Sequence, residues 1–400
     1  MDRGDSVEKT MYLKKAETAK TDVEVAVDYR IKLLYAIGIS MVVLAHCRGG
    51  GIVLLFDWFP YGGLHVALFM FCSGYLYKDS AEEDVSGYIL KKLKHLILPL
   101  YIYNLAYGLI AQFLHCFGFQ IGGAFTLYNL FVAPLNDGHQ FEWNLAGWFI
   151  VPLFMAQVFI VLFRKCLHLC LKKTSEYLCV LTCIVLGIIG NQLAIQGHNK
   201  GWELMVVRLL HLLPFFGFGV FYRRVLEPVT KKLSSWIVFA IVLVAKLMIV
   251  FRFGRMPDYT SSWCNDFIEG PVLPIVTGAL GIVFYMRVAT ILKSVTKNSK
   301  IVNLIADSSY SIMMNHLLGI LLVKSMFACI SKYTSGFSDF DGISFHKDIW
   351  WYYLPKGLSY TLILYVVSGV LFPLFIQKII THVALRWKLN LRKNDQRNET

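Results

Sequence analysis

Along this chain, the loops between successive apolar segments are alternately rich and poor in Lys and Arg. A helix that rises about 1.5 Å per residue crosses about 30 Å of hydrocarbon in roughly 20 residues. Ten stretches of the 400-residue sequence are apolar and approach this length, and the shorter ones reach it by extending into their flanks. They are Ile31–Cys47, Gly62–Tyr77, Leu96–Phe117, Ala146–Phe163, Tyr177–Leu193, Leu204–Tyr222, Trp236–Phe251, Gly270–Met286, Ile305–Ile330 and Leu358–Ile380.

The distribution of Lys and Arg predicts the orientation of these spans. The N-terminus, the even-numbered loops and the C-terminus carry 29 of the 39 basic residues, the odd-numbered loops carry 7, and the spans themselves carry 3. Cytoplasmic loops hold the excess of Lys and Arg in membrane proteins. The sequence therefore predicts an all-α polytopic membrane protein, a bundle of about ten transmembrane helices with both termini in the cytoplasm.

Composition excludes an ordinary soluble domain, because 56% of the residues are hydrophobic and only 16% are charged. The net charge of +13 is explained by short basic loops next to the lipid headgroups, so we expect the lipid bilayer and not nucleic acid as a partner. The nine Cys residues include no CxxC pair. This pattern predicts buried apolar thiols and no metal site.

The chain divides into three predicted regions. Residues 1–28 are polar and form a cytoplasmic N-terminal tail, residues 29–385 form the membrane domain, and residues 386–400 form a basic cytoplasmic C-terminal tail. The first region has no apolar run that could be cleaved as a signal, so Ile31–Cys47 is expected to act as an uncleaved anchor. The outer loops Gly118–Leu145 and Ser331–Lys356 are rich in aromatics and Gly and are expected to form lids or short interfacial helices.

Polar side chains inside spans need a physical reason, since a charge at the bilayer centre costs on the order of 3 kcal/mol or more. His46 closes the outer end of the first span, and Tyr35 lies on the same helical face about 16 Å toward the cytoplasm. His46 is therefore either an interfacial residue or a catalytic one. The Gly-rich segment that follows is expected to bring Arg48 back over this position.

Other polar residues lie deeper in the spans. Asn315 and His316 are near mid-membrane, where an imidazole cannot reach the interface and must face a partner or water. Ser73-Gly74 indicates either a helix-packing notch or close approach of a ligand. Arg208 and Lys324 either snorkel to the interface or line a polar path, and Lys246 lies within the seventh span.

Five segments resemble, in order, the acyltransferase-3 family of integral membrane O-acyltransferases. Ile31–His46 (IKLLYAIGISMVVLAH) is similar to the first helix of the family, which ends in His. Gly62–Tyr77 resembles its second helix. The others are the basic turn and Pro of Lys91–Tyr101, the Trp-Phe stretch of Gly147–Phe154, and the Ser-Tyr…His helix of Ser308–Leu317. Together the likeness extends over residues 31–317.

The sequence departs from the family at two positions. Members usually carry Arg or Lys eleven residues before the first-helix His, and this chain has Tyr35 there. Tyr can donate a hydrogen bond but cannot neutralise a phosphate, so Lys32 is the alternative for that task. His65 stands where Gly is more usual.

The resemblance implies transfer of an acyl group, usually acetyl, from cytoplasmic acyl-CoA to a sugar hydroxyl of a surface or lipid-linked glycan, in a bacterial inner membrane. It makes His46 the general base, since an imidazole with a pKa of about 6.5 can accept the hydroxyl proton near neutral pH. An acyl-His46 intermediate is the less favoured variant. Oxyanion donors would come from Tyr35, Ser73, Asn315 and His316.

The substrates are assigned to opposite sides of the predicted membrane. The CoA phosphates would meet Lys91, Lys92 and Lys94, with Lys32 as a further candidate, although the orientation rule alone also explains these cations. The glycan would meet outward residues, for which the candidates are Arg48, Glu142, Trp148 and Arg208. Solvent exposure is the default expectation for the acidic residues Asp137 and Glu142.

The alternative is a transporter or flippase of a lipid-linked sugar, or a polysaccharide polymerase. Arg208, Lys246 and Lys324 would then line a path for an anionic substrate. The His and Ser-Gly set favours the enzyme, as does the lack of the internal repeat typical of many transporters.

Overall fold

The structure is a computed structural model that describes residues 27–47 and 64–398, with side chains in the last helix described through Val383. Within these residues the fold consists of helices and connecting loops. Arg48, nearly all of the predicted N-terminal tail and the side chains of the predicted C-terminal tail lie outside this description.

Ten long helices follow one another in the described part of the chain. They are α1 (Tyr29–Ala45), α2 (Leu64–Tyr75), α3 (Val85–His115), α4 (Leu145–Leu171), α5 (Glu176–Ile195), α6 (Gly201–Thr230), α7 (Ser235–Phe253), α8 (Leu273–Ile291), α9 (Ser309–Tyr333) and α10 (Leu362–Asn398). Eight of the described helices, α3 to α10, are long and apolar enough to cross a membrane, and α2 is a shorter apolar helix of 12 residues. The all-α polytopic fold is therefore confirmed.

The helices extend beyond several of the predicted apolar stretches. The third begins at Val85, well before the predicted start at Leu96, and the Asp84 side chain caps it by accepting from the Gly87 amide at 2.9 Å. The basic turn at Lys91–Lys94 is consequently helical and not a loop. The ninth predicted stretch is broken at Ser308, between a short helix Lys300–Asp307 and α9.

The sixth helix packs closely against α2. A Cβ atom added to Gly74 would collide with the carbonyl of Phe216, and one added to Gly219 would collide with the carbonyl of Phe71. Two glycines thus allow the two backbones to touch, as in other close membrane-helix contacts. Gly74 is therefore a packing notch, while Ser73 has a different environment, described below.

Ion pairs concentrate at one end of the bundle, where α1 begins and α6 ends. Arg30 bonds Glu227 at 2.8 Å, and Arg164 bonds both Glu82 at 2.7 Å and Glu176 at 2.8 Å. Because these guanidinium groups already face carboxylates, they are committed to holding helix ends together. Positive charge available for a ligand must come from other residues.

The cysteines only partly match the prediction of buried thiols. Five of the nine are buried, but four are exposed at helix surfaces: Cys116, Cys166, Cys170 and Cys329. Apolar flanks in the sequence do not distinguish a helix face that meets other helices from one that meets lipid, and this is why the prediction was wrong for these four.

Candidate functional site

Two imidazoles meet near the end of α1. The ring centroids of His46 and His316 are 4.8 Å apart. His46 Nδ1 lies 2.7 Å from the Val42 carbonyl, and His316 Nδ1 lies 2.9 Å from the Met313 carbonyl. A carbonyl only accepts, so in each neutral ring Nδ1 carries the proton and Nε2 keeps a lone pair. Both rings therefore present a basic atom.

The Nε2 atom of His316 is buried and has no hydrogen-bond partner among the described residues. Most buried polar atoms in proteins are paired, so an unpaired buried lone pair indicates a functional group. The sequence predicted that His316 faces a partner or water. The structure places it against His46, a half-buried side chain at the end of another helix.

A loop after α9 covers this pair. Trp350 stacks on His46 with ring centroids 5.6 Å apart and planes 17° from parallel, and the Tyr352 hydroxyl donates to the His46 carbonyl. Lys324 donates from Nζ to the Ile349 carbonyl at 2.6 Å and is only 3% exposed, so it does not snorkel. Sequence reasoning missed Trp350 and Tyr352. The run of four aromatics in Trp350–Tyr353 was the available signal.

A cavity of about 690 Å³ lies toward the other end of α1. Tyr35 and Ser73 both line it, which gives Ser73 a position distinct from that of Gly74. Lys91 and Lys92 also line it. Apolar side chains, including Phe69, complete much of the wall.

Two of the four lysines predicted to bind the donor do not line this cavity. Lys32 bonds Asp307 at 2.9 Å, and Lys94 is exposed outside the lining. Lys32 therefore does not stand in for the cation that the family carries at the Tyr35 position. Lys91 and Lys92 are the predicted lysines that bring positive charge to the wall.

The cavity and the histidine pair are adjacent but separate. Tyr35 is eleven residues from His46 on one helix, which corresponds to about 16 Å. Phe69, in the wall of the cavity, packs against α1 at Gly38, where an added Cβ would lie 3.3 Å from its ring. Met313 lines the cavity and also accepts the bond from His316. Phe69 and Met313 thus stand where the cavity approaches the histidines.

Arg208 is buried at 2% exposure in the N-terminal half of α6. It donates from Nε to the Ser262 carbonyl at 2.6 Å and from Nη1 to the Asp137 carbonyl at 2.8 Å. Its guanidinium lies over the Trp148 ring, 4.8 Å from the centroid, and Nη2 has no partner in the described part of the chain. The structure thus brings together two of the predicted acceptor-binding residues, and Arg208 does not snorkel.

The acidic residues of the loop between α3 and α4 are less exposed than expected. Glu142 is half-buried and accepts from the Gly122 amide at 3.2 Å. Asp137 lies 3.0 Å from His139 Nδ1, and this hydrogen bond holds the pKa of Asp137 below its ordinary value. His139 in turn stacks on Trp263 at 4.5 Å. These contacts hold the loop that leads into α4, and Trp148 lies near the start of that helix.

Asn315 and His211 are fully committed to helix contacts. Asn315 accepts from the Tyr107 hydroxyl at 2.9 Å and donates to the Ser311 carbonyl at 2.8 Å, which joins α3 to α9. His211 lies 2.7 Å from the side-chain oxygen of Asn191 and 3.2 Å from the Ser261 hydroxyl. This second buried chain, which sequence reasoning missed, fastens the loop before α8 to α5 and α6.

No group of three or more His, Cys, Asp or Glu residues in the described ranges could hold a metal ion. The arrangement at His46 and His316 instead offers basic nitrogen atoms, and α1 also borders a separate cavity that is large enough for an organic ligand and partly cationic. A multi-pass helical bundle with such a site defines a class of membrane-embedded proteins that handle a small molecule.

Comparison with protein families makes the class specific. The acyltransferase-3 family model, described as an acyltransferase domain, matches residues 28–376. The chain belongs to this family and is a membrane acyltransferase. No curated protein and no solved structure matches it.

Proposed function

We propose that this protein transfers an acyl group, usually acetyl, from acyl-CoA to a hydroxyl of a cell-surface or lipid-linked glycan in a bacterial cytoplasmic membrane, with His46 as the general base. The observation that carries the proposal is the pair of imidazoles whose Nδ1 atoms are both committed to backbone carbonyls. That arrangement leaves Nε2 of His46 to accept a proton.

The reaction needs a base because a sugar hydroxyl is a weak acid and a poor nucleophile. His46 Nε2 takes the hydroxyl proton as the sugar oxygen forms a bond to the thioester carbonyl carbon. The tetrahedral intermediate then expels the CoA sulfur, and the imidazolium returns the proton to the thiolate. An ester and free CoA result, and His46 is regenerated.

His316 supports the charged form of His46. When His46 carries two protons, its Nε2–H needs an acceptor, and the unpaired Nε2 of His316 is a buried acceptor on the ring beside it. Hydrogen bonds to ionised groups contribute about 1.5–3 kcal/mol. His316 thus favours proton transfer without taking part in bond formation.

The donor occupies the cavity. Lys91 and Lys92 attract the CoA phosphates, and the apolar wall at Phe69 accepts the pantetheine arm and directs the thioester toward the histidines. Tyr35 lies about 16 Å from His46 along α1, too far to reach an oxyanion there, and Ser73 on α2 lines the same cavity as Tyr35. We therefore assign them to binding the donor and not to stabilising the oxyanion.

The acceptor enters from the opposite end of the bundle. Arg208 on α6 and Trp148 near the start of α4 form a cation–aromatic pair there, and Glu142 lies in the loop that leads into α4. The unpaired Nη2 of Arg208 is a donor for a sugar oxygen. The rival assignment is a lipid-linked sugar transporter or polymerase, in which Arg208 and Lys324 would line a path for an anionic substrate. Both side chains instead donate hydrogen bonds to backbone carbonyls of loops, so this assignment gains no support.

The proposal is tested by comparing the glycan from cells that carry the gene with the glycan from cells in which it is deleted. Proton NMR should show ester-linked acyl groups that disappear on deletion, while the glycan chain length is unchanged. Shortened or absent glycan that retains its esters would contradict the proposal and favour the transporter or polymerase.

A further inference from the structure

We infer that Trp350, held over His46 by a loop that Lys324 tethers, is a positioning residue that makes the enzyme select a sugar hydroxyl over water. The inference rests on the proposed function and concerns what stands between His46 and the aqueous side.

The indole fixes the imidazole from one face. The two rings are 17° from parallel with centroids 5.6 Å apart, which is an offset stack. Together with the bond from Nδ1 to the Val42 carbonyl, the stack restrains rotation of the imidazole. Trp350 is 41% exposed, so one side of the indole meets His46 and part of the rest meets solvent. It is therefore a cover.

Lys324 holds the loop that carries Trp350. Lys324 donates to the carbonyl of Ile349, the residue before Trp350, and its Nζ lies 4.1 Å from the centroid of the Tyr352 ring. Tyr352 in turn donates to the His46 carbonyl. The contacts of one buried ammonium group thus lie on both sides of Trp350.

Burying this ammonium group is costly, and its hydrogen-bond partner is a carbonyl and not a carboxylate. A Leu or Met in that place would pack in the bundle at lower cost. What Lys324 adds over an apolar residue is a fixed position for the loop at Ile349. This indicates that the position of the loop over His46 matters to the protein.

The position of this loop matters because water can compete with the sugar hydroxyl for the same base. A base that can activate a sugar hydroxyl can also activate water, and attack by water on the thioester carbon would release free acid and CoA. Closed active sites suppress this loss by excluding water. An indole over the imidazole excludes water in the absence of acceptor, and its aromatic face is a surface on which a sugar ring can pack when the acceptor arrives.

The experiment uses the full-length protein in lipid nanodiscs with acetyl-CoA. Release of CoA thiol is measured without acceptor, and ester formation is measured with it. We expect Trp350→Ala to raise acceptor-independent CoA release several-fold and to lower ester formation, whereas Trp350→Phe keeps release near that of the wild type. Lys324→Met should change both rates in the same directions as Trp350→Ala, and it supplies the test if Trp350→Ala does not fold.

Two controls separate the possible outcomes. Trp236→Ala removes an indole that is 83% exposed on α7 and should change neither rate. The double variant His46→Ala, Trp350→Ala should lose the additional CoA release, because His46 activates the water. If Trp350→Ala and Lys324→Met lower CoA release and ester formation in equal proportion, the role of Trp350 is only structural and the inference is overturned. Full ester formation by His46→Ala alone would instead overturn the proposed function.

Discussion

His46 Nδ1 lies 2.7 Å from the carbonyl oxygen of Val42, one turn earlier on the same helix. The same carbonyl also accepts the backbone amide of His46 at 3.3 Å, and His46 is the residue that caps the C-terminal end of the helix. A helix terminus thus sets the tautomer of the imidazole without any other side chain. The placement of His46 at the last turn of α1 is for this reason part of its proposed chemistry.

Replacing His316 by Ala should lower kcat roughly 10- to 150-fold, the value of one hydrogen bond to a charged group of about 1.5–3 kcal/mol, and leave KM for acyl-CoA nearly unchanged. The reason is that His316 stabilises the protonated form of His46 and does not touch the donor. Steady-state kinetics of ester formation with varied acyl-CoA measure this. A rise in KM at constant kcat would show that His316 belongs to the donor site.

Replacing both Lys91 and Lys92 by Ala should raise KM for acyl-CoA about 5- to 30-fold, if each charge contributes about 0.5–1 kcal/mol. The effect should shrink at high salt, since the charges are partly exposed. Lys94→Ala is the matched control, because Lys94 is an exposed lysine from the same turn that does not line the cavity. Equal effects of all three lysines would remove the cavity from the donor assignment.

Replacing Tyr35 by Arg restores the residue type usual in the family and adds a cation to the cavity wall. We expect a modest change or a gain in affinity for acyl-CoA, measured by titration of the purified protein. Tyr35→Phe should retain most activity, because the ring and its packing on Phe69 remain. Complete loss of activity in Tyr35→Arg would contradict this view of the site.

Replacing Gly74 by Ala should destabilise the protein by about 1–3 kcal/mol, since the added methyl group meets the Phe216 carbonyl in a closely packed helix pair. Thermal unfolding in detergent should show a lower Tm. Gly342→Ala is the control, as an added Cβ there meets nothing within 4 Å. An unchanged Tm in Gly74→Ala would mean that α2 and α6 can separate without cost.

The sequence predicts the helices well because the length and hydropathy that a membrane requires are local properties. Every predicted stretch overlaps a long helix, although the ninth is broken at Ser308, and the other main errors are at ends such as Val85, where the helix begins before the apolar residues do.

The sequence could not show which residues of different helices meet. The contact of His46 with His316 depends on how α1 and α9 pack, and no local pattern contains that information. Trp350 was missed because its loop is far along the chain and its aromatics resemble an ordinary interfacial belt. Lys32 was assigned by proximity along the chain, whereas its side chain turns to Asp307.

We propose His46 as the base for acyl transfer to a glycan. The most direct measurement is the ester content of the glycan, by proton NMR, in cells that express His46→Ala at wild-type level in the membrane. We expect loss of esters by at least about 100-fold relative to wild type, the lower range for general-base catalysis, with no loss in the exposed control His168→Ala. Wild-type ester content in the His46→Ala cells would contradict it.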